Sequence, residues 1–183
     1  MPTPESDLAE LFLAFSRDKL LNQYWPRLRT AVSALTDDQI WFRPNPASNS
    51  IGNLLLHLDG NVGQWLVASF NKLDDARNRP AEFGERRRIA GRLLLDRLGK
   101  TMDEAAAVLK RLTREDLAAP YEIQGYTTTG LGAVYQVVEH FGLHYGQILY
   151  ITKSLGGRDL GFYSELNRTG NVPAATRSSE KQP

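Results

Sequence analysis

Apolar residues recur at helical spacing from Leu8 onward: Leu8, Leu11, Phe12, Phe15, Leu21, Trp25, Leu28, Val32 and Leu35. This pattern predicts a first helix over roughly 7–34, with Ser6 or Asp7 as its N-cap. Pro26 lies inside it, lacks an N–H and clashes with the preceding turn, so a kink is expected there. Asp18 interrupts the stripe and marks a turn that is solvated or paired. Thr36-Asp37-Asp38-Gln39 has the form of a capping box and predicts a short helical turn that Pro44-Asn45-Pro46 ends. Ser48, Asn49 or Ser50 then caps a second helix, 50–70, with Ile51, Leu54, Leu55, Leu58, Val62, Trp65 and Leu66 inward.

Residues 71–87 are charged and broken by Pro80 and Gly84, which reads as a loop; Arg86-Arg87-Arg88 reads as the solvated start of the next helix. The third helix is expected over 88–112, carrying Ile89, Leu93, Leu94, Leu98, Met102, Ala105, Val108, Leu109 and Leu112. A looser stretch, 113–129, follows with Pro120, Gly125 and Thr127-Thr128-Thr129. The fourth helix, 130–155, carries Val134, Val137, Val138, Phe141, Tyr145, Ile148, Leu149 and Ile151, and stops at Gly156-Gly157. The expected class is therefore all-α: a four-helix bundle with short extra helical turns in its connections, forming one domain over 1–170. The tail, 171–183, has little to bury and is expected to be disordered.

Composition narrows the chemistry. Lys plus Arg is 22 against 21 for Asp plus Glu, so no bulk charge draws the chain to nucleic acid or to a membrane surface. The absence of cysteine excludes a disulfide framework, thiolate metal ligation and a cysteine nucleophile. No basic segment followed by an apolar run opens the chain, and no apolar run is long enough to span a bilayer, so a cytoplasmic location is expected.

The two halves echo each other. Leu35-Thr36 followed by acidic residues precedes the second helix, and Leu112-Thr113-Arg114-Glu115-Asp116 precedes the fourth. The second helix reads His57-x-x-x-Asn61-x-Gly63-Gln64 and the fourth His140-x-x-x-His144-x-Gly146-Gln147. All three histidines of the chain fall in these two segments. His140 and His144, four apart, share one helix face, and a two-fold echo would bring His57 to meet them. Three neutral imidazoles suit a divalent ion such as zinc, nickel, iron or copper and leave a coordination position open, as catalytic sites do. Asn61 and Gln147 stand where they can orient ligands. Glu139 and Asp59 point away from the histidine faces, which leaves neither motif helix with a carboxylate base for hydrolysis.

The stretch His140-Phe141-Gly142-Leu143-His144-Tyr145-Gly146-Gln147-Ile148, followed by Leu155-Gly156-Gly157, resembles the C-terminal signature of the DinB superfamily, and His57 stands where that family places its first ligand. The likeness spans residues 8–157. It implies a zinc- or nickel-type centre, with iron or manganese as further options, held by His57, His140 and His144 in a homodimer. It also implies thiol-dependent transfer or isomerisation with a low-molecular-weight thiol such as bacillithiol or mycothiol. Tyr145 departs from the Arg often found after the second histidine of that signature. Three functions follow as expectations. They are transfer of a small thiol to an electrophilic small molecule, metal-dependent hydrolysis, and a non-catalytic metal-binding stress protein.

Overall fold

The computed structural model describes residues 7–157, 159–164 and 168. The expectation of a disordered tail falls outside them. The first helical rod runs as α1 (Leu8–Arg17), a π-helical stretch (Asp18–Tyr24) and α2 (Trp25–Ser33). Asp7 caps it, accepting a hydrogen bond from the Ala9 N–H. The interruption expected at Pro26 appears as a change of winding just before it, which absorbs the missing N–H without ending the rod. Asp18 is paired within that stretch, accepting from Asn22 and Gln23. The wider π turns also rotate the buried face. Leu13, Leu20, Leu28 and Val32 are in the core, whereas Leu8 and Phe15, expected inward, are exposed.

The short α3 (Asp37–Ile40) carries the capping box read from the sequence, Thr36 with Gln39. The second rod comprises α4 (Ile51–Val62), a π-helical stretch (Gly63–Ala68) and α5 (Ser69–Asn71); Ser50 is its cap. Ten consecutive positions before Gly60 and two after it illustrate how central this rod is: Ser50 through Asp59, Asn61 and Val62 are all buried. A helix packed on all sides needs a cover on the face turned away from the bundle. That cover is α6 (Arg79–Gly84), a helix lying inside the stretch read as loop. Asn78 caps it and Pro80 sits in its first turn, where a proline costs nothing.

The third rod, α7 (Gly91–Arg111), starts three residues later than expected. Arg86–Arg88 precede it instead of opening it: Arg87 pairs with Glu85, Arg88 with Asp38, and Arg86 donates to the carbonyls of Phe83 and Glu85. Leu93 is exposed, while Leu94, Leu95 and Leu98 take the inner face. The stretch read as loose is ordered into α8 (Arg114–Ala118), with a Thr113–Asp116 capping box, and a hairpin of β1 (Pro120–Ile123) and β2 (Tyr126–Thr129). The hairpin is antiparallel, with Pro120 opposite Thr129 and Ile123 opposite Tyr126. Its two turn residues, Gln124 and Gly125, both have positive φ (56° and 79°), the signature of a tight two-residue hairpin turn. Thr129 then caps the fourth rod, α9 (Gly130–Gly156), which ends at Gly157 in the left-handed conformation. The molecule is a four-rod helical bundle with one small two-stranded sheet among the described residues. α4 packs against both α7 and α9, and no described helix is long and apolar enough to cross a membrane.

Candidate metal centre

The packing of α4 against α9 brings the histidine-bearing faces of the two echoing segments together. His57 Nε2 lies 3.1 Å from His140 Nε2, which lies 3.2 Å from His144 Nε2. The three rings meet edge to face at 4.5–5.0 Å between centroids. His57 is buried, and the two α9 histidines are half-buried. Tetrahedral ligation at 2.0–2.1 Å separates two nitrogens by about 3.3 Å. The observed spacings are close to that value.

The outer ring nitrogens fix the proton positions. His57 Nδ1 faces Glu82 Oε2 at 2.8 Å, and His144 Nδ1 faces Gln147 Oε1 at 2.7 Å. Both of these oxygens accept, so each Nδ1 carries the hydrogen and each Nε2 presents a lone pair inward; Arg77 Nη2, 3.1 Å from His57 Nδ1, donates to Glu82 Oε2. His140 Nδ1 is buried with no partner among the described residues, and its Nε2 sits between the other two. Burial, followed by the charges of His144, His57, Arg77 and Arg79, lowers His140 to about 3. Burial also lowers His144, against the opposing hydrogen bond from Gln147. His140 and His144 are therefore neutral at physiological pH, and the inward nitrogens of the three rings crowd one point. A cation there would turn that repulsion into ligation, so the donor set fits a divalent ion.

The residue the sequence did not announce is Glu82. Its Oε2 holds His57 Nδ1 and also accepts from Arg77 Nη2 at 3.0 Å, while Oε1 accepts from Arg77 Nε at 2.7 Å. Burial alone would raise its pKa, but the hydrogen bonds from His57 and Arg77 outweigh it and the carboxyl is lowered. Arg77 is held in turn by Gln64, whose side-chain amide also donates to Asp75. The close approach of this pair to the helix is permitted by Gly60: a Cβ there would lie 2.1 Å from Glu82 Oε1 and 2.9 Å from Arg77 Nε. The one signal available was Gly60 itself, a glycine inside the helix three residues from His57.

The other expected residues divide. Gln147 contacts His144 as an orienting group should, whereas Asn61 Oδ1 is buried and touches no described polar partner. Asp59 turns away from the centre and ties α4 to α7, accepting from Arg97 and Thr101 at 2.6 Å each. Glu139 is exposed. Tyr145 is buried and stacks on Tyr24 at 5.1 Å between ring centroids, so it serves the core. A cavity of about 530 Å³ opens beside the histidines, walled by His57, Asn61, Trp65, Arg77, Arg79, Gln124, Tyr126, Gln136 and His140.

Comparison with known proteins follows the same outline. The profile of the DinB superfamily matches residues 20–148. No curated protein matches the chain. Among solved structures, a conserved protein from Enterococcus faecalis superposes with a TM-score of 0.66 at 15% identity, covering 84% of this chain and 99% of that one. A DinB-like protein from Bacillus cereus superposes with a TM-score of 0.60 at 14% identity, covering 74% of this chain and 87% of that one. At such identities the likeness shows the fold alone.

Proposed function

The chain belongs to the DinB superfamily, and from that membership and the geometry of its three histidines we propose a metal-dependent transferase that joins a low-molecular-weight thiol to an electrophilic small molecule. The observation that carries the reading is the convergence of His57, His140 and His144 Nε2 beside a cavity large enough for small substrates. His57, His140 and His144 would hold a divalent ion through those nitrogens, and its Lewis acidity would lower the pKa of a thiol from about 8.5.

The protein's own groups do the rest. Glu82 and Gln147 hold two of the imidazoles in the tautomer that presents Nε2 inward. Arg77 keeps Glu82 ionised and aimed at His57. The cavity wall gives the second substrate a place beside the thiol, so that the sulfur displaces a leaving group such as halide from the electrophilic carbon as a reaction between neighbours, the thiol proton and the halide passing to solvent.

Hydrolysis would call for a base facing the cavity. Glu82 lies behind His57 with both oxygens engaged, which is the position of an orienting group and favours thiol transfer over hydrolysis. A protein that only held the metal would have no need of the adjoining cavity.

The test begins with elemental analysis of untagged protein. One equivalent of zinc, nickel, iron or manganese is expected, together with metal-dependent consumption of a small thiol in the presence of an aryl halide. No bound metal after reconstitution would overturn the reading.

A further inference from the structure

The cavity beside the histidines contains polar groups that metal ligation leaves unused. Two guanidinium groups, Arg77 and Arg79, stand in its wall, and none of the described wall residues is acidic. The charge of Arg77 is already matched by Glu82. Arg79 is exposed and has no ion-pair partner among the described residues, so its charge faces solvent at the cavity wall. It is the first residue of α6, and its guanidinium lies over the Phe83 ring at 5.0 Å. That ring in turn packs on His57 at 4.5 Å between centroids. Arg79, Glu82 and Phe83 share one face of the short helix, so the element that orients His57 also presents the unmatched charge.

Two further wall residues hold buried polar atoms with no described partner. Trp65 is 7% exposed and its Nε1 is unpaired; Asn61 is 3% exposed and its Oδ1 is unpaired. An indole N–H can only donate, so what completes it is an acceptor. Leaving such a group unmet forfeits its hydration with nothing in return, and buried polar groups are seldom left so. One unmatched guanidinium, one buried N–H and no acid describe a receptor for a carboxylate.

We infer that the cavity binds the carboxylate of a small organic acid, with Arg79 and the Trp65 Nε1–H as its donors. Asn61 Oδ1 accepts from a hydroxyl or amine on the same molecule. This deepens the thiol-transfer reading and rests on it, since the acid is a feature of the thiol or of the electrophile. A single unmatched guanidinium balances one negative charge, which favours a carboxylate over a phosphate dianion.

The experiment uses the full chain loaded with cobalt(II), whose sulfur-to-metal absorption reports thiol binding. The probes are 3-mercaptopropionate and its methyl ester, with propionate and inorganic phosphate as competitors. The acid should bind at least tenfold more tightly than the ester. Arg79→Gln should erase that preference while leaving the ester's affinity and the cobalt content unchanged. Trp65→Phe, which keeps the ring and removes the donor, should weaken the acid at least threefold. Equal affinity for acid and ester, a preference that survives Arg79→Gln, or competition by phosphate as strong as by propionate would each overturn the inference. The two readings fail separately. If neither thiol gives the absorption band but calorimetry detects Arg79-dependent propionate binding, thiol transfer falls and the carboxylate site stands. If both thiols bind alike, the reverse holds.

Discussion

His144 and Glu139 sit five residues apart on one helix, yet they answer to opposite environments. His144 Nε2 joins the cluster and its Nδ1 is held by Gln147, whereas Glu139 is exposed. His144→Ala should therefore cut bound metal by well over half with the helical circular dichroism signal nearly intact, and Glu139→Ala should leave metal content within error of the wild type. Elemental analysis of the two variants side by side decides it, and metal retained in His144→Ala would refute the ligand assignment. Glu82 gives a sharper residue-scale expectation. Glu82→Gln keeps an acceptor for His57 but removes the charge that raises the basicity of the imidazole. Loss of such an outer partner lowers metal affinity about 10–100-fold. Competition against a chromogenic chelator measures it, and an unchanged affinity would leave Glu82 with a packing role only.

At the scale of elements, the junction between α4 and α6 carries the site, and two glycines of the second rod separate packing from propensity. Glycine inside a helix costs about 0.5–1 kcal/mol relative to alanine. Gly63→Ala should recover that stability, because a Cβ there meets only Thr101 Cγ2 at 3.8 Å, and metal affinity should not change. Gly60→Ala should do the opposite. Its Cβ would occupy the place of Glu82 Oε1, so the Glu82–Arg77 pair must move off His57, and affinity should fall as far as in Glu82→Gln. Thermal melts and chelator competition on both variants provide the check. Tight metal binding by Gly60→Ala would show that α6 yields without disturbing His57.

For the whole molecule, the histidine cluster makes folding depend on pH. The unfolded chain protonates His140 near the ordinary value of about 6.5, whereas the folded protein resists protonation down to about 3. Between those values the unfolded state binds the extra proton, so stability is complete above the window and declines as the pH falls through it. Metal-free protein should have a lower urea midpoint at pH 5 than at pH 7, and bound metal should widen the gap, because protons compete with the ion for the same nitrogens. Equal midpoints for the metal-free protein at the two pH values would contradict the burial of neutral His140.

Four long helical rods, the capping box at Thr36, the stop at Gly157 and the meeting of His57 with His140 and His144 were all legible in the sequence. Each is written in local spacing: apolar residues every three to four positions, a cap three residues before its partner, a repeated histidine motif. The capping box at Thr113 was not read, because it opens a helix of only five residues inside a stretch read as loose. The hairpin was not read: its two four-residue strands are too brief for periodicity to register, and Gly125 marked only a loose stretch. Tertiary structure alone decided the function of residues 77–83. In sequence they are a charged stretch interrupted by proline; packed over α4, their polar side chains become the carboxylate on His57, the guanidinium that holds it and the wall of the cavity. Spacing along a chain encodes which residues share a helix face, because that is a property of the helix itself. Which distant segment covers that face depends on the free energy of burying both surfaces together, and that exists only once the chain has folded.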